Sequence, residues 1–365
     1  MNRDLHLDDG STIKWFARSY EDFLNKTTLI YGRTQSGKST IVLEIMKLLK
    51  DHIAIPFVVS QSNGADFIGK IPHNCIKPNI TKEWLEDFLF AQKGRAQLYN
   101  TANNMENLKS LFDRIKTSEL EGIEQKCNKI AARAIQDIER SETFDYSKKR
   151  EKIKYVQDMQ RKALVELYKS NIRLNKYILD GSVNMLSPDE ICCLNYLDFL
   201  PNALLIFDDC ASVFKKWAKD STVIKEIFYA GRWSYITFII TSQDDKEIES
   251  ELRKNAIVSF FTTSQAATAN FTRSSNSYSK EEKKRADLCA HRIFNSSGAD
   301  SKRNFKKLVY VQNREDPFMY MIADIQEDFK MGCPALWDID KKIEETKNSN
   351  NSEELHNFFN RYYLI

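Results

Sequence analysis

Short apolar runs alternate with segments of helical periodicity in the first hundred residues. Residues 27–31 and 53–60 are rich in β-branched residues and are typical of buried strands, with Pro56 near the start of the second. Apolar positions over 41–49 follow the spacing of an amphipathic helix, and a further helix is predicted over 82–92. This alternation predicts an α/β fold with a mostly parallel central sheet.

The middle of the chain has a different pattern. Between 101 and 180, apolar positions recur at spacings of three, four, and seven or eight within a highly charged background. This spacing predicts at least two long amphipathic helices, with a break near Ser141–Ser147. We interpret 101–187 as a long α-helical insertion.

The strand and helix alternation resumes after residue 200, with late additional strands near the end. The polar stretch 264–279 has no predicted element. The predicted elements are strands at 203–207, 235–240 and 256–262, a helix at 221–230, a charged helix at 280–294, late strands at 307–311 and 317–324, and a helical tail from 340.

These patterns divide the chain into four parts. The first part of the core is 1–100 and the helical insertion is 101–187. The second part of the core is 188–335 and the C-terminal tail is 336–365.

Composition excludes several classes of protein. With 42% hydrophobic and 29% charged residues the chain can bury a core, so global disorder is excluded. It contains no apolar run long enough for a transmembrane helix, and the N-terminus has no apolar segment typical of a signal peptide. The seven scattered cysteines include no CxxC, and the histidines have no metal-binding spacing, which favours a reduced, intracellular protein.

A phosphate-loop pattern lies between the first predicted strand and helix. Gly32 and Gly37 precede Lys38 and Ser39 in the order G-x4-G-K-S. The glycines let backbone N–H groups converge on phosphate oxygens, while Lys38 reaches the β- and γ-phosphates and Ser39 binds Mg²⁺. The predicted nucleotide-binding residues are Gly32, Arg33, Thr34, Gln35, Ser36, Gly37, Lys38, Ser39 and Thr40.

Polar residues follow two of the later strands. Asp208 and Asp209 end the apolar run ALLIF, at the edge where parallel sheets bind ligands. Asp208 is predicted to bind Mg²⁺, and Asp209 to polarise the attacking water. Gln243 follows the next strand and is a candidate for ordering water against the γ-phosphate. Alternatively, the acidic pair only ends its strand and the glutamine is only a turn residue.

Two further features suggest partners. Arg232 and Arg253 are candidates for an arginine that one subunit supplies to the site of its neighbour, or they are solvated surface residues. Residues 270–307 hold ten Lys or Arg against four acids. This excess suits contact with DNA phosphates, although an ordinary solvated face explains it equally well.

The segments GRTQSGKST, NALLIFDDC, YAGRW, ITFIITSQ and LRKNAIVSFF together resemble the poxvirus-type genome-packaging ATPases of large double-stranded DNA viruses, a branch of the FtsK/HerA motor superfamily. In that family an arginine follows the sensor glutamine by ten residues, and an asparagine follows two later. Gln243, Arg253 and Asn255 match this spacing, and Gly231–Arg232 matches a Gly-Arg pair of the family. Trp233 departs from the pattern, because the family often has histidine there.

The resemblance implies a RecA-like P-loop NTPase fold of the ASCE type, in which an extra strand separates the phosphate-loop strand from the acidic strand. It also implies ATP hydrolysis with Mg²⁺, coupled to moving double-stranded DNA into preformed capsids by a homo-oligomeric ring. Capsid or portal-type proteins would be partners, at viral assembly sites in the host cytoplasm or in the virion. The catalytic residues expected are Lys38, Asp209, Gln243, Arg253 and Arg232.

Three alternatives use the same loop. A cellular or plasmid motor of the same superfamily would act on different DNA. A P-loop small-molecule kinase would transfer phosphate to an acceptor, and a non-catalytic scaffold would only bind nucleotide.

Overall fold

The computed structural model describes residues 4–61, 64–210, 222–294, 305–324 and 328–346. The strands are β1 (Leu5–His6), β2 (Thr12–Trp15), β3 (Thr27–Tyr31), β4 (Ile55–Ser60), β5 (Ile76–Lys77), β6 (Ala203–Asp208), β7 (Ile236–Ser242), β8 (Val258–Phe261), β9 (Lys306–Val311) and β10 (Phe318–Ile322). The α-helices are α1 (Lys38–Leu49), α2 (Lys82–Ala102), α3 (Met105–Ile115), α4 (Ser118–Arg140), α5 (Tyr146–Leu174), α6 (Lys176–Asp180), α7 (Pro188–Asn195), α8 (Thr222–Ala230), α9 (Ser250–Arg253), α10 (Ser264–Thr272), α11 (Lys280–Phe294) and α12 (Pro334–Thr346).

The ten strands form one sheet in the order β1-β2-β10-β9-β8-β3-β7-β6-β4-β5. From β8 to β5 every neighbouring pair is parallel, whereas β9 is antiparallel to β8 and β10. The strand β7 separates β3, which leads into the phosphate loop, from β6, which ends in the acidic pair. This strand order confirms the expected RecA-like P-loop fold and its late additional strands.

The central strands form because their sequences are apolar on both faces. Every residue of β3, β4, β6 and β7 is buried, as expected for parallel strands that are covered by helices. Pro56 is the second residue of β4, near the start of its strand as predicted.

The chain divides into two compact units, Met1–Ala96 with Leu200–Ile365 and Gln97–Phe199. The first contains the sheet. The second includes the interpreted insertion 101–187 and has its own apolar core, in which Phe112 packs on Tyr168. Within it α4 and α5 pair as a helical hairpin, and the break between them, 141–145, lies at the predicted position.

Several elements differ from the sequence prediction. The strands β1 and β2 were not predicted, because two and four residues are too few to show periodicity. The helix α10 lies in the polar stretch 264–279, for which no element was predicted. The Thr263 side chain accepts the N–H of Ala266 there, and Phe271 is buried. The tail helix begins at Pro334, before the predicted residue 340, and 347–365 lie outside the described residues.

None of the helices in the described ranges combines the length and the apolar character needed to cross a membrane.

Candidate nucleotide-binding site

Four parallel strands deliver polar residues to one edge of the sheet. The strands β4, β6 and β7 end at Ser60, Asp208 and Ser242, and β3 ends at Tyr31, immediately before the phosphate-loop sequence. The first residue of the loop, Gly32, donates its N–H to the Ser242 carbonyl at 3.0 Å. The loop is therefore fixed to the end of the neighbouring strand at the ligand-binding edge of the sheet.

The backbone of the loop has the turns that a phosphate cradle requires. Gln35 and Gly37 lie in the left-handed region, with φ of 61° and 89°. The second position suits glycine, because a side chain is strained there. The helix α1 begins at the next residue, Lys38, so its unsatisfied N–H groups and positive dipole end favour an anion at this point.

Gly32 is required for a different reason than the sequence pattern suggests. A Cβ atom at this position would lie 1.6 Å from the Thr262 hydroxyl oxygen, so a larger residue would collide with the segment that follows β8. The same hydroxyl lies 2.6 Å from the Ser36 hydroxyl and 3.1 Å from the Tyr31 carbonyl. Thr262 therefore holds the loop closed from the β8 side.

Lys38 connects the loop to the acidic pair. Its buried ammonium donates to the carbonyls of Gly32 and Arg33 at 3.0 and 3.3 Å. It also lies 3.3 Å from the Asp209 carboxylate. The structure therefore brings the phosphate loop and the acidic pair together, although Lys38 and Asp209 are 171 positions apart in the sequence.

Asp208 and Asp209 have different surroundings. Asp208 is buried and accepts a hydrogen bond from the Thr241 hydroxyl at 2.8 Å, with the Ser60 hydroxyl 3.5 Å from its other oxygen. Burial raises the pKa of Asp208, and the charge on Asp209 adds to the rise against the hydrogen bond from Thr241. The carboxylate of Asp209 is 39% exposed, and its backbone N–H donates to Thr241 at 2.9 Å.

Gln243 is exposed and reaches the phosphate loop. Its side-chain amide donates to the Thr34 hydroxyl at 3.3 Å. The segment that carries it is anchored by Asp245, a buried carboxylate that binds the Arg273 guanidinium through both oxygens at 2.6 and 2.7 Å. The ion pair between Asp245 and Arg273 therefore fixes the segment that places Gln243 beside the loop.

Arg253 also binds the segment that contains Asp245. Its guanidinium donates to the carbonyls of Asp245 and Ile248 and to the side chain of Asn276 at 2.9 Å, and only 8% of its side chain is exposed. These contacts commit Arg253 within its own chain.

Arg232 lies near the amino-terminal end of β7, opposite the strand ends that carry the phosphate loop and the acidic pair. It occupies a short turn before β7, whose seven residues end beside the phosphate loop. At about 3.3 Å per strand residue, this places Arg232 on the order of 20 Å from the loop of its own chain. Arg232 is exposed, and its guanidinium lies 4.9 Å from the ring of Trp233, which is 71% exposed.

The donor set at the loop fits a magnesium ion. Ser39 is partly exposed in the first turn of α1, and Asp208 supplies a carboxylate from β6. Mg²⁺ prefers oxygen ligands and keeps several waters when it binds phosphates, so two protein oxygens suffice. Across the described residues there is no cluster of three or more His, Cys, Asp or Glu that would form a separate metal site.

The basic segment 270–307 is partly used inside the chain. Arg273 binds Asp245, and Arg285 donates to the Thr12 carbonyl and lies 3.2 Å from Asp316. Residues 295–304 lie outside the described residues. Only the remaining cations of this segment can contact a nucleic acid without breaking these bonds.

Sequence reasoning missed several residues that shape the site. They are Ser60, Thr241, Thr262 and Lys307. Strand ends carried a signal for the first two, because Ser60 and Thr241 lie at the carboxyl ends of buried strands. No local signal identified Thr262 and Lys307, because their contacts depend on the pairing of β8 with β3 and of β9 with β8.

The strand order and loop geometry define a class of protein, the RecA-like P-loop NTPases. Protein B354L of African swine fever virus (isolate Tick/Malawi/Lil 20-1/1983) is 30% identical over 339 residues, which cover 88% of each chain. The same protein of the Badajoz 1971 strain is also 30% identical over 339 residues. The chain therefore belongs to the same protein family as B354L of African swine fever virus. It matches no family model.

Solved structures show weaker similarity. The genome packaging NTPase B204 of Sulfolobus turreted icosahedral virus 2 is 13% identical, with 82% of this chain and 98% of that chain covered and a TM-score of 0.37. EssC of Geobacillus thermodenitrificans is 14% identical, with 95% of this chain and 49% of that chain covered and a TM-score of 0.38. The pCW3 conjugation coupling protein TcpA is 14% identical, with 95% of this chain and 71% of that chain covered and a TM-score of 0.37. Because these scores are below 0.5, the fold assignment rests on the strand order of this chain.

Proposed function

We propose that this protein hydrolyses ATP and uses the energy to move double-stranded viral DNA into preformed capsids. The observation that carries the proposal is the contact between the Lys38 ammonium and the Asp209 carboxylate at 3.3 Å, at the start of α1. A phosphate loop and an acidic strand end converge there on one small volume. The DNA-packaging part is supported by the sequence segments that resemble packaging ATPases and by relatives encoded in a viral genome.

The phosphate groups would be bound by the loop. In the structure Lys38 donates to two loop carbonyls, and an incoming triphosphate would replace these acceptors with stronger, charged ones. The N–H groups at the start of α1 would bind the same anion. Ser39 and Asp208 would hold Mg²⁺, which supplies positive charge to the phosphates when it is bound.

Asp209 would act as the base that orients and polarises water. Its carboxylate is partly exposed, and its backbone is held by Thr241, so the side chain can accept a proton without leaving its position. Gln243 would order the same water or report the presence of the γ-phosphate, since it already contacts the loop at Thr34.

A neighbouring subunit would complete the site. Arg232 is exposed and lies at the opposite end of β7 from its own loop, so it would reach a nucleotide only across a subunit interface. In a ring of identical subunits, each arginine would stabilise the transferring phosphate of the next. We therefore propose a homo-oligomeric ring, with Arg232 rather than the internally bonded Arg253 acting in trans.

Capsid or portal-type proteins would be the partners of such a ring, at viral assembly sites. The helical unit Gln97–Phe199 is a candidate for this docking, because its long helices α4 and α5 carry exposed apolar side chains, among them Ile130, Tyr155 and Met159.

The test is ATP hydrolysis by the purified protein with and without long duplex DNA, with the oligomer mass measured on the same sample. We expect hydrolysis that long duplex DNA stimulates, in an oligomer larger than a dimer. Hydrolysis that is indifferent to DNA, together with phosphate transfer to a small acceptor, would instead support the kinase alternative. Nucleotide binding without any hydrolysis would support a scaffold.

A further inference from the structure

A second lysine lies against the phosphate loop. Lys307, on β9, is 4% exposed, and its ammonium donates to the Ser36 carbonyl at 3.0 Å. A Cβ atom built on Gly37 would lie 3.6 Å from the same ammonium. The lysine therefore contacts the peptide group that joins these two loop residues.

The position of Lys307 follows from the pairing of β8 and β9. Phe261 pairs with Leu308 in an antiparallel register, which places Thr262 opposite Lys307. Both side chains contact Ser36. The Thr262 hydroxyl lies 2.6 Å from the Ser36 hydroxyl, and the Lys307 ammonium donates to the Ser36 carbonyl. Ser36 is thus held by Lys307 on β9 and by Thr262, the residue that follows β8.

Burying this ammonium is costly. Among the described residues no carboxylate lies within ion-pair distance of Lys307, and the Ser36 carbonyl satisfies one of its three N–H donors. Burial lowers the pKa of Lys307 for this reason. A methionine of similar length would fill the same space at lower cost, so packing alone does not account for a lysine here.

Peptide geometry suggests what the lysine does. The carbonyl of Ser36 and the N–H of Gly37 belong to one planar, trans peptide group and point in opposite directions. With the carbonyl bound to Lys307, the Gly37 N–H faces away from β9. Gly37 has φ of 89°, in a region where glycine turns easily, so without an external bond this peptide could rotate.

We infer that Lys307 is a positioning residue for the nucleotide, which orients the Ser36–Gly37 peptide so that its N–H is presented to the phosphates and which adds positive charge behind the loop. The inference rests on the proposed function, because it assigns the phosphates to this loop. Lys307 differs in role from Lys38, which lies on the acidic side of the loop and contacts Asp209.

The experiment compares Lys307→Met, Lys307→Arg and the control Lys306→Met. The control changes the preceding lysine, whose side chain is directed to the other face of β9. For each protein we would measure the dissociation constants of a non-hydrolysable ATP analogue and of inorganic tripolyphosphate by calorimetry, and the melting temperature.

We expect Lys307→Met to weaken both ligands by the same factor, roughly tenfold to a hundredfold, as for loss of a hydrogen bond to a charged group. Its melting temperature is expected to equal or exceed that of the wild type. Lys307→Arg is expected to recover part of the affinity, and Lys306→Met to bind normally.

A lower melting temperature for Lys307→Met with unchanged dissociation constants would overturn the inference and make the lysine structural. Weaker binding of the ATP analogue with unchanged tripolyphosphate binding would also overturn it, because the effect would then lie at the base or ribose. A wild-type protein that binds neither ligand would overturn the proposed function and this inference together.

Discussion

Two buried carboxylates, one in each unit, show how differently the molecule treats charge in its helical unit and at the edge of its sheet. Glu190, on α7, accepts hydrogen bonds from the Ser110 hydroxyl and the Ser187 N–H, both at 2.7 Å, and pairs with Arg114. Asp208, on β6, has two neutral hydroxyls as its hydrogen-bond donors. Glu190 is therefore paired with a cation, whereas Asp208 is held by hydroxyl groups.

The pKa values of the two groups move in opposite directions. Burial alone would raise the pKa of Glu190, but the hydrogen bonds from Ser110 and Ser187 and the charge of Arg114 hold it below the usual value. Burial does raise the pKa of Asp208, helped by the charge on Asp209. A buried carboxylate that is held by hydroxyl groups rather than by a direct ion pair can be stabilised by a bound cation, which is typical of a binding site.

The largest effects are expected for Arg232 and Arg253, of which the first is exposed and the second has a buried side chain that is hydrogen-bonded within the chain. Arg232→Ala removes an exposed cation, so we expect the rate of ATP hydrolysis in the oligomer to fall by roughly 10³-fold or more, with the melting temperature unchanged. Arg253→Ala breaks a buried network, so we expect a loss of about 3 kcal/mol in the free energy of unfolding. Phosphate release and denaturant titration measure the two outcomes.

Mixing the two mutant proteins sharpens this prediction. In a ring, Arg232→Ala subunits mixed with Lys38→Ala subunits would regain some activity, because an intact loop can then meet an intact arginine. An Arg232→Ala protein with wild-type activity would show that the exposed arginine is only a surface residue.

The second prediction concerns Asp209. Asp209→Asn keeps the shape of the side chain but removes its basicity, so we expect kcat to fall by roughly 10²- to 10⁴-fold while the ATP analogue still binds. Steady-state phosphate release measures the first effect and calorimetry the second. Asp189→Asn, an exposed acid in the first turn of α7, is the matched control and is expected to hydrolyse ATP normally.

The smallest effects are on stability and its pH dependence, and they test the comparison of carboxylates directly. Because folding raises the pKa of Asp208, its contribution to stability is present in acid and is lost as pH rises through its folded pKa. Asp208→Asn is therefore expected to melt at a higher temperature than the wild type at neutral pH, with the gain disappearing in acid.

Glu190 is expected to behave in the opposite way. Folding lowers its pKa, so its contribution is present above the ordinary carboxyl range and is lost as pH falls through the folded pKa. Glu190→Gln is expected to cost about 1–3 kcal/mol at neutral pH, without changing hydrolysis. Melting curves of both variants from acid to neutral pH measure this. Shifts of the same sign for both variants would contradict the contrast.

The sequence was sufficient for the parts of the site that lie within one continuous motif or at a strand end. The phosphate loop and the acidic pair were predicted because their residues are adjacent in the chain and follow apolar strands. The acidic pair was placed at the edge where parallel sheets bind ligands, and in the structure Asp209 contacts Lys38 there.

Residues that depend on long-range packing could not be predicted. Lys307 and Thr262 contact the loop only because β8 pairs with β3 and β9 pairs with β8, and no local sequence pattern predicts this strand order. Gly32 was explained by backbone freedom, whereas in the structure it makes room for the Thr262 hydroxyl. Arg253 matched a family spacing, but only its hydrogen bonds to the Asp245 segment show that it is engaged internally.

The central claim is that the loop and the acidic strand end surround one magnesium triphosphate. A crystal structure with a non-hydrolysable ATP analogue and Mn²⁺, which gives an anomalous signal, tests it most directly. We predict phosphates bound to Lys38 and the N–H groups at the start of α1, with the metal signal between Ser39 and Asp208. A nucleotide bound elsewhere, or a metal remote from Asp208, would contradict the account.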